Sequence, residues 1–293
     1  MAGLNEIGKD LFWVPGANRS RFPFCSGLYL KGKNLRLLID AGMGPENLAA
    51  CHKEGIDAVI LSHCHLDHRL TLSHFPGLPL WCHPAEAAFL QSRDRFLAGI
   101  GLERGGLDME QLYSGIVIQE FTIHRKLEDG ESIPLGGLSF KVLHTPGHTP
   151  GHLAFWIPEA ELLFAADITL TPFGPFYGHD FSSITDYINS IKKLKVLPAK
   201  TVVTGHSGPF QTNLKDRFKA YEEVIYKRDR SVLRQLEGPK PFSSLLNKNL
   251  IYPAYHEPVS LTRWFEQVHL EKHLERLMNM GKIIEENGMF RKV

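Results

Sequence analysis

Cysteine is scarce and scattered. Cys25, Cys51, Cys64 and Cys82 are the only four in 293 residues and none stands in CxxC spacing, so a disulfide framework is excluded and reduced thiols are expected. Net charge is equally small. At +1 the chain has no global field to draw in nucleic acid, an anionic membrane or an acidic substrate. No apolar run approaches the roughly 18 residues of a membrane span. Polar and charged residues break up Met1 to Asp10, and the expectation is a cytoplasmic protein without a targeting segment and with no membrane partner. Gly101, Gly105-Gly106 and Gly136-Gly137 lack both a P-loop lysine and dinucleotide spacing. They read as turns, and no nucleotide cofactor is implied.

What is present has the balance of an ordinary globular chain, 43% apolar and 22% charged. Short apolar runs read as buried strands at Leu35 to Ile39, Ala58 to Leu61, Leu80 to Cys82, Phe140 to Leu143, Leu153 to Ile157, Leu162 to Ala165 and Thr201 to Val203. Helical periodicity lies between them, at Pro45 to Lys53, Pro84 to Leu97 and Ser183 to Leu194. The alternation predicts an α/β architecture. Gly and Pro punctuate the ends of the runs, so the polar chemistry falls on loops at strand ends. After Pro209 the texture changes to long charged amphipathic segments, Leu214 to Leu236 and Leu261 to Met280, followed by two short strands about Asn287-Gly288. Two units are expected, residues 1–210 and a helical unit over 211–293.

The strongest signal is His63-Cys64-His65-Leu66-Asp67-His68, an HxHxDH pattern directly after the run Ala58 to Leu61. Residues two apart in extended chain point the same way, so His63 and His65 can share one metal ion. Asp67 and His68, where the chain turns toward a helix, are placed to reach a second. Imidazole suits zinc, iron and similar ions, and a carboxylate adds a hard ligand. One six-residue loop cannot surround two ions. Further candidates are His148 in HTPGHTPGH, Asp167 at the end of Leu162 to Ala166, and His206 after Thr201 to Gly205, each following a strand-like segment.

These pieces, together with Leu38-Ile39-Asp40-Ala41-Gly42, occur in an order that resembles the metallo-β-lactamase fold superfamily, especially its glyoxalase II-like branch, over roughly residues 20 to 210. The resemblance implies a four-layer αββα sandwich with a metal site along one edge of its sheets. It implies that His63, His65 and His148 bind one ion, that Asp67, His68 and His206 bind the other, and that Asp167 bridges them. Asp40 would support the HxHxDH loop from behind. Two departures stand out: Arg69-Leu70-Thr71 replace the glycine that often follows the loop, and Ala166 stands where glycine is usual before the bridging aspartate. The segment after Gln211 resembles the small winged-helix-like tail of members related to an endoribonuclease branch. Its 15 basic residues against 11 acidic are a mild excess, so packing, substrate capping or dimer contact is favoured over nucleic acid.

The expected enzyme is a dinuclear metallohydrolase with two divalent ions, zinc first and iron or manganese as alternatives. A metal-bridging hydroxide would attack a small ester-like substrate, a thioester or lactone. The aromatic segment Thr169 to His179 is a candidate pocket wall in which Tyr177 or His179 donates a proton or hydrogen bond. His144 and His152 read as packing or supporting residues, His269 and His273 as surface or core residues, and Cys64 as buried opposite the ligands. Competing readings are an endoribonuclease or phosphodiesterase, an iron-dependent persulfide dioxygenase, and a metal-retaining protein without turnover; a homodimer is compatible with all of them.

Overall fold

The computed structural model describes residues 3–113 and 116–293. Its first sheet has seven strands in sequence order: β1 (Asn5–Gly8), β2 (Leu11–Val14), β3 (Gly27–Lys31), β4 (Arg36–Ile39), β5 (Ala58–Ile60), β6 (Leu80–Cys82) and β7 (Arg125–Lys126). Pairing is antiparallel as far as β4 and parallel from β4 to β7. The short parallel strands β5 and β6 are buried on both faces, which is why they read as continuous apolar runs rather than alternations. The second sheet runs β12-β11-β10-β9-β8 and contains β8 (Ser132–Pro134), β9 (Ser139–His144), β10 (Leu153–Ile157), β11 (Leu162–Phe164) and β12 (Thr201–Val203).

The helices are α1 (Ala17–Ser20), α2 (Pro45–Glu54), α3 (Leu66–Arg69), α4 (Pro84–Leu90), α5 (Arg93–Ile100), α6 (Met109–Leu112), α7 (Ile184–Lys195), α8 (Leu214–Gln235), α9 (Phe242–Leu246) and α10 (Val259–Asn279). The single helix expected over Pro84 to Leu97 is two. Ser92 breaks it by adopting extended backbone and accepting from the Arg95 amide, which caps α5. In α7, Ser183 caps the start, and Ile184, Tyr187, Ile188, Ile191 and Leu194 fill one face at helical spacing.

Three apolar clusters define four layers. Leu28, Leu30, Leu37, Ile39 and Ile60 of the first sheet meet Phe140, Val142, Phe155, Ile157 and Phe164 of the second. The outer face of the first sheet, with Tyr29, Leu38 and Val59, packs on Leu48 and Cys51 of α2 and Leu90 and Phe96 of α4 and α5. The outer face of the second, with Ala154, Leu163 and Val202, packs on α7 and on Phe218, Tyr221 and Ile225 of α8. The chain is thus an αββα sandwich.

The change of texture after Pro209 does not coincide with a break in packing. The first turns of α8 belong to the outer layer of the second sheet, and Leu261, Trp264 and Val268 of α10 belong to that of the first. Beyond these contacts the end of α8, α9, the rest of α10 and the strands β13 (Lys240–Pro241), β14 (Ile283–Glu286) and β15 (Met289–Lys292) enclose a fourth apolar cluster. The hairpin turns on Asn287 and Gly288, both with positive φ, as a two-residue turn of this hand requires. The loop between α9 and α10 is tied by the buried Glu266 carboxylate, which accepts from the amides of Leu250, Ile251 and Tyr252. Charge-assisted bonds of this kind contribute about 1.5–3 kcal/mol each, so Glu266→Ala is expected to lower stability by at least about 2 kcal/mol, measured by urea unfolding.

Candidate metal centre

The seven predicted ligands converge where the two sheets meet at one edge. His63, His65 and the start of α3 follow β5, His148 lies in the turn between β9 and β10, Asp167 follows β11, and His206 follows β12. His63, His65, His148 and Asp167 form one group of potential ligands, and Asp67, His68 and His206 form a second; the ligand atoms within each group lie within 4.8 Å of one another.

The ring orientations are set from behind. Nδ1 of His148 donates to the Phe176 carbonyl (3.0 Å) and Nδ1 of His206 to the Ser20 carbonyl (2.6 Å). A carbonyl can only accept, so the proton is on Nδ1 and the Nε2 lone pair faces the cluster. Asp40 does the same for His68, whose Nδ1 is 2.9 Å from Oδ2, while its Oδ1 accepts from the Ser62 amide and its Oδ2 from the Ser62 hydroxyl. That hydroxyl lies 3.0 Å from Nδ1 of His63. His65 is reversed: Nδ1 points inward, 3.0 Å from Nε2 of His63 and 2.8 Å from Nε2 of His148.

Asp167 lies between the groups. Oδ2 is 3.2 Å from Nε2 of His148 and 3.4 Å from Nε2 of His206, and Oδ1 is 3.0 Å from Nε2 of His68. Nε2 of His206 is also 3.1 Å from Oδ2 of Asp67. These separations scatter around the roughly 3.3 Å that four donors at about 2.0–2.1 Å from a tetrahedral ion would keep from one another. Nε2 of His68 and Oδ1 of Asp167 are close but not aligned as a hydrogen bond, and neither has such a partner among the described residues. Buried polar atoms left without partners are rare, and here they belong to an imidazole and a carboxylate among further imidazoles and carboxylates, so the residues fit a metal.

The electrostatics agree. Burial, aided by neighbouring imidazoles, holds His63 and His65 well below the usual imidazole range, which keeps them neutral as ligands must be. At His68 burial also opposes protonation, but Cys25 and the carboxylates of Asp167, Asp40 and Asp67 outweigh it and the group lies well above its ordinary value. At His206 burial is likewise outweighed, by Asp167 and Asp67. For Asp167 burial pushes upward, yet His206, His68 and His148 hold it well below the carboxylate range. The cluster stabilises positive charge beside its carboxylates.

Other expectations divide. His152 supports Asp167: burial lowers it to about 3, and its neutral Nε2 accepts from the Asp167 amide (3.1 Å). His144 stacks on His83, ring centroids 3.9 Å apart. Cys64 is buried behind the ligands, its thiol pushed well up by burial. Arg69 turns away from the site, donates to the Gln119 carbonyl and lies over Phe96. Ala166 takes φ +42°, where glycine would fit with less strain.

Tyr177 requires a correction. It does not face the site; its hydroxyl is fully buried between Nε2 of His273 and Arg228, 2.8 Å from each. His179 does line the pocket, its ring 4.7 Å from that of His65 and its Nδ1 without a partner among the described residues.

Two supporting residues carry no sequence signal. Glu86, buried in the first turn of α4, accepts from the Cys64 amide, the Thr149 hydroxyl and the Gly151 amide, and so joins the two histidine loops. Arg228 of α8 donates to the Phe173 and Pro175 carbonyls, fixing the loop whose next residue, Phe176, orients His148. His273 relays the same hold, with Nδ1 2.7 Å from Asp229.

The superfamily profile for "Metallo-beta-lactamase superfamily" matches residues 21–206, and the chain belongs to that superfamily. Among named relatives, it is 29% identical over 126 residues to "Beta-lactamase-like protein 2 homolog" of Caenorhabditis elegans, covering 43% of this chain and 41% of that one. It is 26% identical over 234 residues to "Acyl-coenzyme A thioesterase MBLAC2" of Gallus gallus, covering 70% and 80%. It is 26% identical over 213 residues to "Atrochrysone carboxyl ACP thioesterase" of Aspergillus fumigatus, covering 69% and 56%. The chain therefore spans from two fifths to four fifths of these relatives' lengths. A metallo-beta-lactamase family protein from Thermus thermophilus shares the fold with a TM-score of 0.78 at 22% identity, over 98% of this chain and 100% of that one.

Gly42 sets a steric condition on this arrangement, since a Cβ there would lie 1.5 Å from the Asp67 carbonyl oxygen. Gly42→Ala is expected to displace the Asp67 loop and weaken metal binding about 10- to 100-fold, the range for lost support of ligands, read by competition with a chromophoric chelator. Arg228→Met is expected to weaken it in the same range through the Phe176 carbonyl, with Arg228→Lys recovering part of the loss.

Proposed function

We propose that this chain is a metal-dependent hydrolase of ester-like acyl substrates, thioesters first, working with two divalent ions. The observation that carries this reading is the convergence of two ligand groups on one carboxylate at the wall of a large, mainly apolar pocket. His63, His65 and His148 would hold one ion, Asp67, His68 and His206 the other, and Asp167 would be shared. When bound, the metal supplies Lewis acidity and lowers the pKa of coordinated water from 15.7 to about 7.

The chain's own residues orient and exclude. Asp40, Ser62, Ser20 and the Phe176 carbonyl fix the imidazole rings, so no reorganisation is needed when substrate arrives. Burial keeps His179 well below the usual imidazole range; as a neutral ring on the pocket wall it can donate one N–H to a substrate oxygen. Tyr221, held beside the Asp167 carbonyl by Tyr187, completes that side of the pocket.

Two relatives bear thioesterase names, which favours a thioester over a lactone. The pocket argues against nucleic acid. Arg21 is the single Lys or Arg among its described lining residues, and Glu257 lines the same cavity, whereas single-stranded nucleic acid needs a basic track. The region expected as a unit over 211–293 would act through the pocket, a reading supported by Leu261 and Phe265 of α10 in its lining. The metal-loaded chain is expected to hydrolyse acyl thioesters, and His63→Ala to reduce kcat/KM by at least about 10³-fold, measured by release of free thiol. Cleavage of single-stranded RNA with no thioester turnover would reverse the assignment.

A further inference from the structure

The ligand groups line a cavity of about 720 Å³. Its lining also includes Phe96 and Ile100 of α5, Met109 of α6, and Leu261 and Phe265 of α10. Each helical pair is four residues apart and so shares a face. These faces reach close to the metal groups: the His179 ring is 4.7 Å from His65, and Phe265 is 5.7 Å from His179. From Phe265 the lining continues one helical turn, about 6 Å, to Leu261. Arg21 and Glu257, the charged lining residues outside the ligand groups, are both exposed, as is Phe22 at 43%. Phe96, Ile100, Met109 and Leu261 are by contrast buried.

The helix that carries Leu261 and Phe265 is braced from outside the cavity. Arg104 lies 4.7 Å over the Trp264 ring and forms ion pairs with Asp180 and Glu271, and the Trp264 ring packs so closely on Gly105 that a Cβ there would lie 2.5 Å from it. The helix carrying Leu261 and Phe265 is thereby fixed against the segment that follows α5. A slot with a mainly apolar lining beside the ligand groups suits a flexible unbranched hydrocarbon better than a charged group.

We infer that this slot is an acyl-chain arm: the chain binds substrates through an extended apolar acyl group, and Ile100, Met109, Leu261 and Phe265 set the acceptable length. For its chemistry this inference rests on the hydrolase reading above; for binding it does not. A buried methylene contributes about 0.8 kcal/mol, equivalent to about fourfold in kcat/KM.

The test is a series of straight-chain acyl thioesters of N-acetylcysteamine, from acetyl to dodecanoyl, with the metal-loaded full chain. The expected result is a rise in kcat/KM of about threefold to fourfold per methylene until the arm is filled. Leu261→Trp and Ile100→Trp should each lower the decanoyl-to-acetyl ratio at least tenfold. In parallel, decan-1-ol should displace a fluorescent alkyl probe from the wild type and do so more weakly from Leu261→Trp. A flat acyl series in an active enzyme, or a series that responds only to alkyl groups placed on the thiol, would overturn the inference and leave the hydrolase reading standing. Displacement by decan-1-ol that is sensitive to Leu261→Trp, without turnover of any thioester, would support the arm and remove the hydrolase reading.

Discussion

The site depends on the burial of one carboxylate among imidazoles. Asp167 lies within hydrogen-bonding range of His148, His206 and His68 at once, in a place where a lone carboxylate would be strongly disfavoured. It persists because its backbone is held on both sides: the amide donates to His152 and the carbonyl accepts from Tyr187. The carboxylates in turn raise His68 and His206 above the usual imidazole range, which marks this point as one that favours positive charge, as a metal ion would supply. Removing a partner from any side leaves a buried charge uncompensated. The sandwich brings its sheet ends together at this edge, and the loops there are short and cross-tied, as at Glu86.

Much of this is legible in the sequence for a physical reason. Short parallel strands buried on both faces must be apolar throughout, and β4, β5, β6, β11 and β12 fall within one or two residues of the runs that predict them. The ligands follow β5, β9, β11 and β12, because rigid strand ends can bring five histidines and two aspartates to one point. Strands β1 and β2 at the edge of the first sheet escape such a reading, since Asn5–Gly8 and Leu11–Val14 carry a mixed burial pattern with no clear alternation.

The supporting residues are less visible. Glu86 looks like any acid in a first helical turn, and its value emerges only when α4 places it between two loops that are distant in sequence. Arg228 and His273 lie on long charged amphipathic helices where nothing in the sequence sets them apart, and both are buried. Tyr177 is ambiguous in the sequence because an aromatic loop next to Asp167 could turn either way; the partners that draw its hydroxyl inward come from α8 and α10, far along the chain. Those helices also supply part of the pocket lining, so a region that carries none of the predicted ligands bears on the orientation of His148.

The proposed sharing of Asp167 by two ions is tested most directly by metal content per chain after dialysis, measured by inductively coupled plasma mass spectrometry. Two equivalents of divalent metal are expected in the wild type and loss of at least one in Asp167→Asn. A single equivalent at saturation in the wild type, or two retained by the variant, would contradict it.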